Sequence, residues 1–402
     1  IQGFAAQELR KNMLSFLAEQ GLSEIAATAF STPRRLTLFI TGLPEKSDDF
    51  IEERKGPRVD APQKALDGFL RSVDLELGQL NVKRDGNVDK YFASIKTPGR
   101  ISTQIVAEAL EKTIRTFPWP KSMRWGVSSL RWVRPLKGIL CIFIKDAEHQ
   151  VIDLQIDGIR SDSCTTGHRF MAPDYFTVKD FEDYKLKLRN AFVILDNRER
   201  SEIILNDANN LAFANGLDLI NDDALLEEVS GLVEWPVTLL GKVDNEFLDL
   251  PSEVLRASMK EHQKFFSLKN PKTEKIERFI TVANIESADN GATILEGNQK
   301  VLYARLSDAK FFWENDLRLI QKDGLDTWLE KLKNVTFHNK LGSQADKVLR
   351  ISALTKKLVG PLACDGEAAV NGANICKSDL ISEMVYEFPE LQGVMGRYYA
   401  IS

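Results

Sequence analysis

The chain has 402 residues with 58 acidic and 53 basic side chains, a formal net charge of −5. That length holds two to four domains with ample apolar cores, while the acidic balance excludes nucleic-acid binding by bulk charge and leaves only a local site. No run of about 18 apolar residues occurs, which excludes a membrane-spanning helix. The four cysteines (Cys141, Cys164, Cys364, Cys376) are scattered without a C-x-x-C pair and read as free thiols of a reducing compartment.

Residues 4–20 carry Leu9, Met13, Phe16 and Leu17 at helical spacing, and Gly21 is a natural stop. From Arg35 to Thr41 the pattern alternates, with Leu36, Leu38 and Ile40 on one face, and Pro33 can start that strand without breaking a ladder. A short helix is predicted over 60–73, a strand over 91–96 closed by Thr-Pro-Gly, and an amphipathic helix over 102–117. The apolar run 138–145 has strand length and predicts a central position in a sheet.

A second region is expected to begin near Val151. Residues 180–190 and 198–215 read as helices, the latter stopped by Gly216. A helix over 225–234 halts before Pro236, a strand follows over 237–243, and 251–264 is helical before a buried strand over 278–284. From Gly297 the pattern is almost purely helical; the stretch 300–358 has no proline and only Gly324 and Gly342. The predicted fold class is therefore α+β and multidomain: an N-terminal α+β domain (1–150), a middle α+β domain (151–296) and a helical domain (297–402).

The chemistry concentrates in residues 119–137. Lys121, Arg124, Arg131, Arg134 and Lys137 fall there with no acid among them, interleaved with Trp125 and Trp132 and preceded by Trp119. Guanidinium and ammonium groups pair with phosphates, and flat rings stack on bases or on the arginines themselves. A polyanion such as nucleic acid suits this set; the competing reading buries the tryptophans and leaves the arginines to cap a strand end. Arg34 and Arg35 before a strand, and His168 with Arg169 after Gly167, are further RNA-binding candidates. Each has a structural alternative, a solvated pair at a strand edge and a satisfied buried histidine. Arg54, Lys55 and Arg58 are offset by Glu52 and Glu53. Lys260, His262 and Lys264 suit RNA or an acidic partner equally, and Asp308, Phe311, Phe312 and Trp313 read as packing.

Several words are more specific than composition. Phe-Pro-Trp-Pro-Lys-Ser-Met-Arg-Trp-Gly (117–126), Ser-Thr-Pro-Arg-Arg-Leu (31–36), Glu-Arg-Lys-Gly-Pro (53–57), Gly-His-Arg-Phe-Met (167–171) and Leu-Leu-Glu-Glu-Val-Ser-Gly-Leu-Val-Glu-Trp-Pro-Val (225–237) come first. Val-Ala-Asn-Ile-Glu-Ser (282–287), Arg-Leu-Ser-Asp-Ala-Lys-Phe-Phe-Trp (305–313), Phe-His-Asn-Lys-Leu-Gly (337–342) and Glu-Phe-Pro-Glu-Leu-Gln-Gly-Val-Met-Gly-Arg-Tyr-Tyr-Ala (387–400) follow. In this order they resemble the β subunit of bacterial heterotetrameric glycyl-tRNA synthetase over essentially the whole chain. The chain resembles the N-terminal part of such a subunit: the opening strand with its acidic motif and the C-terminal anticodon-binding domain have no counterpart here.

The resemblance implies a cytoplasmic ligase subunit of protein biosynthesis that binds and positions tRNA(Gly). It implies an α2β2 assembly whose separate α subunit carries the adenylation site, with ATP and Mg used by the holoenzyme and no cofactor held by this chain. Consistently, no G-x-G-x-x-G after a strand, no phosphate-binding G-x-x-x-x-G-K-[ST] loop and no H-E-x-x-H occurs. The family's helical region is related to the HD phosphohydrolases, whose adjacent His-Asp pair holds a divalent metal. Here the four histidines precede Gln150, Arg169, Gln263 and Asn339, and only Asp346 and Asp379 stand in suitable places, so a degenerate HD-like region without a metal or catalytic residues is expected. The alternatives are a metal-dependent phosphohydrolase or tRNA-editing hydrolase, or a pure assembly scaffold.

Overall fold

The computed structural model describes residues 1–86, 88–146 and 148–402. It divides into two compact units, 1–197 and 198–402. Helix accounts for 47% and strand for 22%, and among the described residues every strand pairing but one is antiparallel. That mixture is α+β.

In the first unit the helix Gln2–Glu19 buries Leu9, Met13 and Leu17, as the spacing predicts. It ends where Gly21 turns to φ +83. There Gly21 N–H donates to Ala18 O (3.0 Å) and Leu22 N–H to Leu17 O (2.9 Å), satisfying carbonyls that a helix end leaves open. The strand Leu36–Thr41 forms as expected, but its five residues Leu36–Ile40 are all half-buried rather than alternating. It pairs with Ala26–Ser31, a strand whose alanines gave no β signal. The helix Ser102–Arg115 supplies Ile105, Val106 and Ala109 to the core shared with Leu9, Met13, Leu17 and Phe117.

A three-stranded sheet places Val88–Thr97 between Phe50–Arg58 and Leu80–Asp85, beside the helix Gln63–Val73. The Gly-Pro pair lies where the register shifts between Lys55 and Arg58, the irregular position that a strand proline requires. Lys55 pairs with Asp85, Lys83 with Glu53, Arg54 with Glu52 at 2.9 Å and Arg58 with Asp60 at 2.8 Å. The cations of this stretch are thus neutralised locally. Lys55 and Lys90 hold the Asp85 carboxyl at about 2.

The run 138–145 departs from expectation. It splits into Ile139–Leu140, at the edge of a three-stranded sheet, and Ile142–Lys145, which among the described residues pairs with Glu148–Val151 alone. At the break, Cys141 N–H donates to Asp162 O (3.2 Å) and Cys141 O accepts from Ile152 N–H (3.0 Å). The run is apolar because Ile139 faces one hydrophobic cluster and Leu140 and Ile142 another, not because it is central. Burial pushes the Cys141 thiol up to about 11, so it carries no thiolate at neutral pH. Further on, the hairpin Cys164–Thr166 with Tyr175–Thr177 precedes the helix Phe181–Asn190, capped by Asp180.

The second unit begins one residue into the helix Asn197–Ala214, closed at Gly216 (φ +65) as predicted. Its four-stranded antiparallel sheet runs Asp218–Leu219, Phe266–Lys269, Ile276–Ala283, Val237–Lys242. The helix Asp223–Ser230 is capped by Asp222, whose Oδ1 accepts from Leu225 N–H at 3.1 Å. Lys260 (2.7 Å) and Arg256 (3.2 Å) pair with the same carboxylate, and Lys264 pairs with Glu228 at 3.2 Å. The predicted helix 251–264 is α-helical only over Ser252–Ala257 and widens to a π turn over Ser258–Gln263.

From Ala292 a helix runs to Lys331, broken at Gly324 (φ 72, ψ 164). Leu302 and Leu306 pack with Phe279 of the sheet, whereas Ala309 and Trp328 meet Met384, Phe388, Met395 and Tyr399. Phe312 and Trp313 join this packing, but Phe311 is exposed. The helical region contains one departure, the small hairpin Thr336–His338 with Gly342–Ser343. Gln344–Leu362 and Gly366–Ile375 follow as paired helices. Among the described residues, no helix is long and apolar enough to cross a membrane.

Candidate nucleic-acid interface

The basic segment folds as a ribbon on an aromatic root. Phe117, Trp119 and Trp132 form a mutually packed trio, with centroids 4.5 Å (Phe117–Trp119), 4.8 Å (Trp119–Trp132) and 5.2 Å (Phe117–Trp132) apart. Ring pairs at such spacings contribute about 1 kcal/mol each beyond area burial. The trio sits against the core of Leu9, Met13 and Ile105, and Trp132 also touches the cluster of Leu130, Ile139 and Ile156. Trp119 and Trp132 are therefore anchors facing inward, the competing reading of the tryptophans.

From that root, Met123–Arg124 pairs antiparallel with Arg131–Trp132. The indole N–H of half-buried Trp125 donates to Trp132 O at 3.0 Å, locking the ribbon across its turn. The turn is tied down by Asp157, whose carboxylate accepts from Ser128 Oγ–H, from Ser129 Oγ–H at 3.2 Å and from Leu130 N–H at 3.3 Å. Asp157 stands at φ +55, beside Gly158 at φ +84.

Lys121, Arg124, Arg131, Arg134 and Lys137 are all exposed. Among the described residues none of the five has an acid within salt-bridge distance, while Arg54, Arg58, Lys83, Lys260 and Lys264 each have one. Among the described residues, only Arg131 of the five has a side-chain hydrogen bond, Nε–H to Ser122 Oγ at 3.4 Å. Five solvated, uncompensated cations on a rigid mount can collect phosphates by charge-assisted hydrogen bonds.

The other candidates sit elsewhere in the same unit. Thr32 Oγ1 accepts from Arg34 N–H (3.2 Å) and Arg35 N–H (3.0 Å) in the turn between the first two strands. Arg34 is exposed at that turn. Arg35 is half-buried: its Nη2 donates to Thr166 O at 2.6 Å and Gly167 O at 2.8 Å, clamping the hairpin Cys164–Thr166 with Tyr175–Thr177. His168 is fully buried. Its Nδ1 lies 3.3 Å from both Phe170 N and Met171 N and accepts from them, which places the ring proton on Nε2. It holds a turn and presents no imidazole to solvent. Arg169 is exposed, its guanidinium 5.4 Å from the centroid of the exposed Phe170 ring.

The carboxylates that a metal-dependent reading would use are engaged as helix caps. Asp346 closes a capping box with Ser343. Asp379 Oδ2 accepts from Gly393 N–H and, at 3.0 Å, from Gly396 N–H at the start of the helix Val394–Ile401. Among the described residues no three His, Cys, Asp or Glu side chains converge as a metal cluster would require. Sequence reasoning passed over Asp157 and Ser128, which set the ribbon's turn; their only signal was the Asp-Gly pair 157–158, a common hairpin turn.

Comparison with known proteins adds a second line. The sequence profile of the family described as glycyl-tRNA synthetase beta subunit matches residues 2–402. The chain is similar to the glycine–tRNA ligase beta subunit of Ruegeria sp. (strain TM1040), 58% identical over 401 residues covering 100% of this chain and 58% of that one. It is similar to the same-named subunits of Dinoroseobacter shibae, 56% identical with 100% and 55% covered, and of Phenylobacterium zucineum, 50% identical with 100% and 59% covered. The chain thus spans a little over half the length of these relatives.

Proposed function

Because this chain belongs to the glycyl-tRNA synthetase beta subunit family, we propose that it serves as the tRNA-holding component of a glycine–tRNA ligase. A separate α subunit carries the adenylation site and uses ATP and Mg to form glycyl-adenylate; this chain positions tRNA(Gly) for transfer, in a cytoplasmic α2β2 assembly. The observation supporting an RNA role is the ribbon 121–137, with five exposed cations, no acidic partner among the described residues and an anchored aromatic root. Arg34 and Arg169 are added contacts on the same unit, and Arg35 and His168 position the loop that carries Arg169. The region 297–402 is read as a degenerate HD-like scaffold. Its Asp346 and Asp379 already cap helices, so no hydrolysis is assigned to this chain.

Glycylation of tRNA by the full-length chain alone, by the α subunit alone and by the mixture tests the division of labour. Activity only in the mixture is expected; turnover by this chain alone would overturn it. For the ribbon, Arg131→Ala with Arg134→Ala should weaken tRNA binding and reduce the slope of log affinity against log salt by about one to two. An unchanged slope returns the segment to a structural role and favours the assembly scaffold.

A further inference from the structure

The ribbon's register defines a finer site within the proposed RNA interface. Arg124 is the direct cross-strand partner of Arg131. Residues directly opposite on an antiparallel pair project from the same face with Cβ atoms about 5 Å apart. Both side chains are exposed, and among the described residues neither meets an acid; the only contact is Arg131 Nε–H to Ser122 Oγ at 3.4 Å. Like charges in this arrangement repel and weaken the pairing. The ribbon is nevertheless braced from beneath, by the Phe117–Trp119–Trp132 packing and by the Trp125 N–H on Trp132 O. The scaffold therefore keeps the two arginine backbones directly opposite one another despite that repulsion.

An anion with several oxygens, taking both guanidiniums at once, relieves that repulsion, and a phosphate group has the matching geometry. We propose that Arg124 and Arg131 close on one and the same RNA phosphate, with Lys121, Arg134 and Lys137 meeting its neighbours. This rests on the RNA reading above. It also narrows that reading: Trp119 and Trp132 are committed to the root, so the ribbon's arginines act on the RNA backbone and fix its register. A terminal 5′-phosphate and an internal diester share the required chemistry.

The test is a double-mutant cycle on the full-length chain, titrating tRNA over a range of salt with wild type, Arg124→Ala, Arg131→Ala and both. If the two share a phosphate, each single change weakens binding roughly tenfold and the double change adds little. The salt slope then falls by no more than about one, even in the double variant. Independent losses that multiply, with a slope lower by about two in the double variant, would overturn the shared site and leave the RNA reading standing. Wild-type affinity and slope in all three would overturn both. Repeating the cycle with 5′-hydroxyl RNA separates the sources: variant effects that vanish identify the terminal phosphate, and effects that persist identify a diester. If the alanine variants melt early, Arg124→Lys with Arg131→Lys keeps charge but loses the planar fork. Weaker binding at an unchanged slope supports the paired forks, and unchanged binding rejects them.

Discussion

Asp316→Ala is expected to destabilise the second unit by about 4 kcal/mol, since each of three orphaned donors costs about 1–2 kcal/mol. Asp316 lies within the helix Ala292–Lys331 and is fully buried. Its Oδ1 accepts from Glu383 N–H at 3.0 Å, and its Oδ2 from Met384 N–H at 3.1 Å and Tyr399 O–H at 2.6 Å. One carboxylate thus joins the long helix to the start of Glu383–Glu387 and to the final helix, where Tyr399 stacks on Trp313 at 5.5 Å. Alanine removes every acceptor at once, including the one that holds the Tyr399 hydroxyl. Urea unfolding should report the loss as a lower midpoint with little change in m.

The same residue predicts a pH signature. Burial raises the Asp316 carboxyl above the ordinary 3.8, against the lowering pull of Tyr399, Met384 and Glu383. A carboxyl raised in the folded state stabilises most below its unfolded value and loses that contribution as pH rises through the folded one. Asp316→Asn keeps the shape, orphans one donor and cannot ionise. The advantage of wild type over Asp316→Asn should therefore shrink as pH rises from about 4 toward neutrality. A constant difference would mean that the carboxyl titrates normally. Asp85, held at about 2, works in the opposite sense and is common to both proteins, so it cancels in the comparison.

Elements whose burial is local were legible in the sequence. The helix Gln2–Glu19 announces itself through Leu9, Met13 and Leu17, and the stops at Gly21 and Gly216 follow from the left-handed backbone each adopts. The strand Ala26–Ser31 was not legible, because its alanines pair by register with Leu36–Thr41 and carry no alternation of their own. Phe50–Arg58 was hidden for a related reason: its charges are neutralised across the sheet, by Asp85 and Lys83. The run 138–145 proclaimed burial, but burial does not say whether strands or helices provide the cover. The ribbon's cations could be picked out by composition. That Arg124 faces Arg131 required the pairing, and that Arg35 clamps the 166–167 carbonyls required the tertiary fold.

That clamp leads to the second large effect. Gly167→Ala should destabilise the first unit by about 3 kcal/mol, at the upper end of overpacking costs. The reason is space, not conformation. A Cβ at 167 would lie 2.4 Å from Ala191 Cβ, 2.7 Å from Ala172 O and 2.8 Å from Ala191 O. Two of those three atoms are backbone oxygens and cannot rotate away. Ala191 O is itself the acceptor for His168 N–H at 2.8 Å, and Ala172 is held by its own N–H donating to His168 O at 3.0 Å. Relieving the clash must stretch these bonds or the Arg35 pair on Thr166 O and Gly167 O, and with them the mount of Arg169. Gly68→Ala is the control within the same unit: it lies in the helix Gln63–Val73 with nothing within 4 Å of a new Cβ, and should stabilise by about 0.5–1 kcal/mol. Thermal melts of the two variants should move in opposite directions. Equal, small shifts would mean that the loop yields freely, and that Gly167 and Arg35 do not hold Arg169 in place.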